Sequence, residues 1–196
     1  MINAIYNRRS IRKYKNKAVS KDMIEAILQA AMVAPSSKNR QPWKFIVSTD
    51  TCKEEMLLTM AKGLAREKDT DALLPGSKRH LKAAEYTLKI MTQAPVTIFV
   101  VNPLGISLSQ FLTPEERIYE ICNSQSIGAA IENMTLTATE LGLGSLWICD
   151  IFFAHKELSE WLKTEGELIA AMSFGYADEF PAPRPRKKIA DVIEWK

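Results

Sequence analysis

Four cationic side chains and a hydroxyl lie within seven residues at Arg8-Arg9-Ser10-Ile11-Arg12-Lys13-Tyr14. Guanidinium groups grip phosphate with two parallel hydrogen bonds and serine adds a further donor, so the segment can cradle an anion. In extended backbone, alternation points Arg8, Ser10 and Arg12 one way, and Arg9 and Lys13 the other. Taken alone, such a cluster is more often a solvated basic face. A second basic group, Arg184-Pro185-Arg186-Lys187-Lys188, lies far along the chain.

Two further segments offer chemistry. Pro35-Ser36-Ser37-Lys38-Asn39-Arg40-Gln41-Pro42-Trp43 is bracketed by prolines and rich in short amides and hydroxyls. Asn39 and Gln41 carry both donors and acceptors, which suits the edge of a heteroaromatic ring, and Trp43 can anchor the loop in a core. Taken alone, the same residues read more readily as a capped turn that satisfies its own backbone. The fourth segment is Leu141-Gly142-Leu143-Gly144-Ser145-Leu146-Trp147-Ile148-Cys149.

Other chemistries are missing. The two histidines, His80 and His155, have no H-E-x-x-H and no cysteine pair beside them, so no metal site is expected, and both read as surface residues. There is no G-x-S-x-G and no Walker A, and Trp147 stands where a dinucleotide-binding G-x-G-x-x-G would need its third glycine. Three cysteines, Cys52, Cys122 and Cys149, without C-x-x-C spacing point to reduced thiols and a cytoplasmic setting. A net charge of +3 from 26 basic and 23 acidic residues is too small to imply a nucleic-acid partner. The most apolar run, 94–101, is far short of the ~20 residues of a membrane span, and the N-terminus lacks a secretory h-region.

The 196 residues, 46% hydrophobic and 25% charged, suit one folded domain over 1–196. Ser20 caps a helix that carries Ile24, Ile27, Leu28 and Ala31 and stops near Ala34, ahead of Pro35. A strand is predicted at 44–48. Thr51 and Glu54 form a capping box for a second helix with Leu57, Leu58, Ala61 and Leu64 inward. Leu81, Ala84, Leu88 and Met91 outline a third helix. The continuously apolar 96–101 reads as the centre of the sheet, and 102–114 as a lid that, with the 65–81 connection, is expected to form the pocket. Ile127, Ile131, Met134, Ala138 and Leu141 mark a long helix that Gly142 can end. Strands follow at 146–149 and 168–174 around a short helix at Leu158, Trp161 and Leu162. The proline-rich tail from Phe180 must run extended over a surface. The class is α+β, with a small mixed central β-sheet surrounded by helices.

Together the four chemical segments resemble the FMN-dependent nitroreductase family: Arg-Arg-Ser-x-Arg, Pro-Ser-Ser-x-Asn-x-Gln-Pro-Trp, Leu-Gly-Leu-Gly-Ser-x-Trp-Ile and Arg-Pro-Arg-Lys, in that order over nearly the whole chain. The resemblance implies a nitroreductase-like fold and a homodimer with FMN held non-covalently at the interface, the C-terminal extension reaching across it. By similarity Arg8, Arg9 and Ser10 hold the phosphate and ribityl chain, and Arg12 lies toward flavin N1 and the C2 carbonyl. Arg184 and Arg186, with Lys187 as an optional third member, look like a second phosphate clamp. Pro35, Ser36, Ser37, Asn39 and Gln41 approach from the other subunit. Trp147, Ile148, Cys149 and Asp150 line the flavin edge, where the backbone amide of Cys149 or Asp150 meets N5. The chain has Trp-Ile-Cys-Asp where many relatives resemble Trp-Ile-Gly, so a backbone role is expected there, and Cys149 is expected to be a packed thiol.

The implied activity is an oxidoreductase that takes hydride from NADH or NADPH and reduces nitroaromatic, quinone or similar small-molecule acceptors by a ping-pong mechanism, with flavin as the reactive group. The alternatives are a flavin-binding or redox-sensing dimer without significant turnover, or a specialised relative such as a reductive dehalogenase. The absence of any cation in 102–114 favours a permissive reductase over one that clamps an anionic substrate.

Overall fold

The computed structural model describes residues 2–69 and 71–196; Thr70, in the 65–81 connection expected to help form the pocket, lies outside them. Six α-helices and four strands occur among these residues: α1 (Asn3–Asn7), α2 (Lys21–Met32), β1 (Lys44–Ser48), α3 (Asp50–Arg66), α4 (Leu81–Gln93), β2 (Val96–Asn102), α5 (Pro114–Glu140), β3 (Gly144–Ile148), α6 (His155–Leu162) and β4 (Glu167–Gly175). The class is α+β, as the sequence implies.

The sheet has the order β1-β2-β4-β3, and each neighbouring pair is antiparallel, where the sequence reading expected a mixed sheet. The reason is topological. At 1.5 Å per residue, the 27 residues of α5 rise about 40 Å, enough to carry the chain back along the sheet. β3 therefore runs parallel to β2, but β4 inserts between them and turns both contacts antiparallel. A parallel contact survives at the free edge of the sheet, as a bridge between Ser10 and Ser145 of β3.

β2 is buried at every position, which its unbroken apolar run requires. On one face Val96, Ile98 and Val100 pack with Ile27 of α2 and Ile127, Ile131 and Met134 of α5. On the other Phe99 and Val101 meet Met56, Met60 and Leu64 of α3, Ile90 and Met91 of α4 and Leu158 of α6. Ser20 caps α2 as expected, accepting from the Met23 amide at 3.4 Å.

Two local expectations need correction. α3 begins at Asp50 with Thr49 at its cap, and Thr51 caps nothing: the extended backbone of Thr49 already ends the strand, so the helix opens before the Thr51–Glu54 pair. Its buried stripe is Met56, Met60, Gly63 and Leu64, while Leu58 is exposed. Gly63 belongs to that stripe because a Cβ there would fall 2.3 Å from the Ala154 Cβ. His155 is also not a surface residue. Its Nε2 lies 2.7 Å from Glu167 Oε1, and its side chain is 19% exposed.

Candidate functional site

The 8–14 segment is stitched across the ends of β3 and β4. The Ile11 amide donates to the Ser145 carbonyl at 2.9 Å, Lys15 donates to Tyr176 and Asp178 donates back to Lys13, each also at 2.9 Å. Gly144 makes this approach feasible, since a Cβ on it would lie 2.7 Å from Ile11 Cγ1 and 2.9 Å from Ile11 Cβ. The preceding Gly142 adopts φ +75° as α5 ends. Buried Tyr14 completes the seam, its hydroxyl donating to the Ile11 carbonyl at 3.0 Å and the Ser173 carbonyl at 3.3 Å. Burial, and then the Glu179 charge, push its phenol well above the usual value.

The tail, after running past Glu179, returns over this segment. Arg8, Arg9, Ser10 and Arg12 join Ile5, Tyr6, Arg184 and Arg186 around a cleft of about 330 Å³. Two basic groups more than 170 positions apart in the chain thus face one space. Arg8 is paired with Glu132 of α5 at 3.5 Å. Arg9 donates to the carbonyls of Tyr6 and Arg8 at 2.7 and 2.8 Å, Arg12 to that of Ser10 at 3.3 Å, and Arg186 to those of Arg184 and Pro185 at 3.3 Å. Neutral carbonyls orient these guanidinium groups without cancelling their charge, so the cleft suits a doubly ionisable phosphate. Lys187 is exposed and is not among the residues lining it, whereas Arg184 and Arg186 are.

The 35–43 loop stands apart from the cleft, against α5, where the Ser37 amide donates to Ser126 Oγ at 3.2 Å and the Arg40 guanidinium lies 4.4 Å from the centre of the Tyr119 ring. Lys38, Asn39 and Gln41 adopt φ of 53°, 53° and 49°. Left-handed backbone at non-glycine residues costs roughly 1 kcal/mol or more each, so the surroundings must over-determine this loop. Ser36 Oγ accepts from the Gln41 amide at 3.0 Å, while the exposed Gln41 side chain donates to Asn39 Oδ1 at 3.3 Å. Pro35, Asn39 and Gln41 face solvent.

β3 leads from Ser145, beside Ser10, to the turn at Asp150–Ala154. Trp147 is half-exposed and lies over Gly128 of α5; Ile148 is buried. The Asp150 side chain turns inward to accept from Thr87, which leaves its backbone as the group available to a ligand. Cys149 is exposed rather than packed as expected; desolvation, and then the Asp150 charge, raise its thiol above the usual value, the reverse of what a reactive thiolate requires. Thr87, Glu132, Glu179, Tyr6 and Ile5 were not singled out by sequence reasoning. Their roles depend on which helix faces meet, and no local motif encodes that.

Among the described residues, no grouping of three or more His, Cys, Asp and Glu could hold a metal, and no helix is long and apolar enough to cross a membrane. The sequence model of the Nitroreductase family matches residues 5–176. The chain belongs to the nitroreductase family. Within it, a protein of Archaeoglobus fulgidus named as an NADH dehydrogenase/NAD(P)H nitroreductase is 34% identical over 74% of this chain and 64% of its own length. YfhC of Bacillus subtilis, named as an NAD(P)H nitroreductase, is 28% identical over 95% of this chain and 89% of its own. A nitroreductase from Desulfovibrio desulfuricans, solved in complex with FMN, is 26% identical and superimposes with a TM-score of 0.72 over 99% of this chain and 95% of that one.

Proposed function

We propose that this chain, one domain over 1–196, works in the cytoplasm as a homodimeric oxidoreductase of its family, reducing nitroaromatic, quinone or similar acceptors by a ping-pong cycle. FMN is its cofactor and NADH or NADPH its reductant, in keeping with the relatives it resembles. The observation that carries the reading is the convergence of Arg9, Arg12, Arg184 and Arg186 on one cleft, with a carboxylate, that of Glu179, held by the Arg12 backbone amide rather than by a guanidinium group. When bound, FMN supplies the hydride chemistry; the protein supplies placement and electrostatics.

The parts divide as follows. Arg8, Arg9, Ser10, Arg184 and Arg186 hold the phosphate end, and Arg12 offsets negative charge at the N1 side of the ring. The peptide at Cys149 or Asp150 directs its amide at N5, held there by the inward-turned Asp150 side chain. The 35–41 loop approaches from the second subunit, which explains why it stands apart from the cleft within one chain. Phe180, Ile189, Val192 and Trp195 are 94%, 73%, 62% and 91% exposed in the single chain, an arrangement that supports a tail lying against a partner.

Anaerobic mixing of the purified holoprotein with NADH or NADPH tests this. Bleaching of the flavin absorbance followed by reoxidation with a quinone, with parallel steady-state lines, is the expected result. A flavin that stays oxidised would leave the non-catalytic binding protein as the better reading, and intersecting lines would replace the ping-pong cycle with a ternary complex.

A further inference from the structure

The two walls of the arginine cleft come from opposite ends of the chain, and they are joined at Glu179. Past β4 the chain runs beside the N-terminal segment. Lys15 donates to the Tyr176 carbonyl and Asp178 to the Lys13 carbonyl, both at 2.9 Å, on either side of an antiparallel bridge between Tyr14 and Ala177. Two residues beyond that bridge in each direction stand Arg12 and Glu179. There a side chain makes the bond: the Arg12 amide donates to Glu179 Oε1.

Glu179 is also the last residue through which hydrogen bonds tie the tail to the rest of the protein. Among the described residues, the hydrogen bonds of 180–196 stay within the tail: Arg186 donates to the carbonyls of Arg184 and Pro185, and Lys188, Asp191, Val192 and Ile193 bond within their own turn. Residues 182–186 are exposed, so little burial holds them either. Pro181, Pro183 and Pro185 fix φ near about −65° at alternate positions and stiffen the strand between Glu179 and Arg186. The direction in which the chain leaves Glu179 therefore sets where Arg184 and Arg186 stand.

A carboxylate facing the cleft would repel a phosphate. Glu179 is instead among the residues lining an adjoining hollow of about 270 Å³, with Ile11, Gly144 and Phe180, while Arg9 and Pro181 border both spaces. It binds the backbone of Arg12, the residue whose guanidinium lines the cleft. That side chain donates to the neutral Ser10 carbonyl, so its charge stays available to a ligand.

We propose that Glu179 is a positioning residue for phosphate recognition, holding the Arg12 backbone and the root of the tail together so that Arg12 from one wall and Arg184 and Arg186 from the other meet the same phosphate. The role rests on the cleft's reading as a phosphate site and adds to it a residue that does not touch the ligand. Charge alone would act in the opposite direction. Removing an anion beside a phosphate site tightens FMN binding, whereas removing the anchor lets the two walls part and weakens it.

Calorimetric titration of the full chain, freed of flavin, with FMN and with riboflavin separates the two. Glu179→Ala is expected to weaken FMN binding about tenfold, the scale of one charge-assisted hydrogen bond, and to leave riboflavin within about twofold. Glu179→Gln keeps an oxygen able to accept from the Arg12 amide and should hold FMN within about threefold of wild type. A Glu179→Ala chain that binds FMN as tightly as wild type, one that loses FMN and riboflavin equally, or a Glu179→Gln chain as weak as Glu179→Ala overturns the proposal. Wild-type protein that binds the two flavins equally overturns the phosphate reading itself, and this role with it. If Glu179→Ala does not fold, Glu179→Met keeps the length without the acceptor and takes its place. The anchor is also read without flavin: by NMR hydrogen exchange the Arg12 amide of the wild-type chain should exchange at least about tenfold slower than its intrinsic rate, and an unprotected Arg12 amide overturns the proposal on its own.

Discussion

The Thr87 hydroxyl of α4 donates to the Asp150 carboxylate at 2.5 Å, joining a helix on one face of the sheet to the turn that leaves its edge strand. Thr87 is 8% exposed, so its end of this part-buried bond is shielded from water. Close contact between Gly63 and Ala154 and the stack of Phe152 on His155 hold the same turn from two further sides. The peptide proposed to meet the flavin is thereby held by contacts from α3, α4 and the start of α6.

Thr87→Val keeps the shape and removes the donor. Leaving a partly buried carboxylate short of a partner should cost about 1–3 kcal/mol in urea unfolding and slow flavin reduction in stopped-flow mixing. Thr87→Ser should restore both. A Val variant that loses stability but keeps the wild-type reduction rate would limit Thr87 to a structural role.

Gly144→Ala should drive a methyl into Ile11, at contacts below 3 Å. Overpacking of this kind costs about 1–3 kcal/mol, and it should also weaken FMN binding, because Ile11 sits between Ser10 and Arg12. Thermal unfolding and fluorescence titration report the two effects separately. Wild-type behaviour in both would mean that the 8–14 segment does not need this close approach.

Tyr14 predicts an alkaline limit. Its phenol is raised by burial and then by Glu179, so its contribution is complete below the unfolded value of about 10 and is lost as pH rises through the higher folded value. Tyr14→Phe should lower stability at pH 7 by roughly 1 kcal/mol and flatten the loss above pH 10. Urea unfolding between pH 7 and 11 measures both; parallel profiles for the two proteins would contradict the assignment.

Much of this was legible beforehand because it is local. The all-apolar 96–101 run could only be a central strand, and Ser20 with Asp22 opened α2 where expected. Long-range geometry was not legible. Thr113, Pro114 and Glu116 form a complete capping box that starts α5 far ahead of Ile127, yet the polar stretch before it reads as lid. The antiparallel sheet depends on β4 inserting between β2 and β3, which no segment encodes alone. Arg8, Arg9, Arg12, Arg184 and Arg186 line one cleft, but Lys187 carried the same sequence signal as Arg186 and does not, since backbone direction in a proline-rich tail has no period to follow.

Lys187→Ala should accordingly leave FMN affinity within about twofold, whereas Arg186→Ala should raise the dissociation constant at least roughly tenfold, the scale of one charge-assisted hydrogen bond. Equal effects from the two would place the tail differently from the cleft described above.

The phosphate assignment of the Arg8, Arg9, Arg12, Arg184 and Arg186 cleft is tested most directly by calorimetric titration of the apoprotein with FMN and with riboflavin, which differ by the phosphate alone. FMN binding at least about a hundredfold tighter than riboflavin is the predicted result, from two or more charge-assisted contacts to one phosphate. Equal affinities for the two would contradict it.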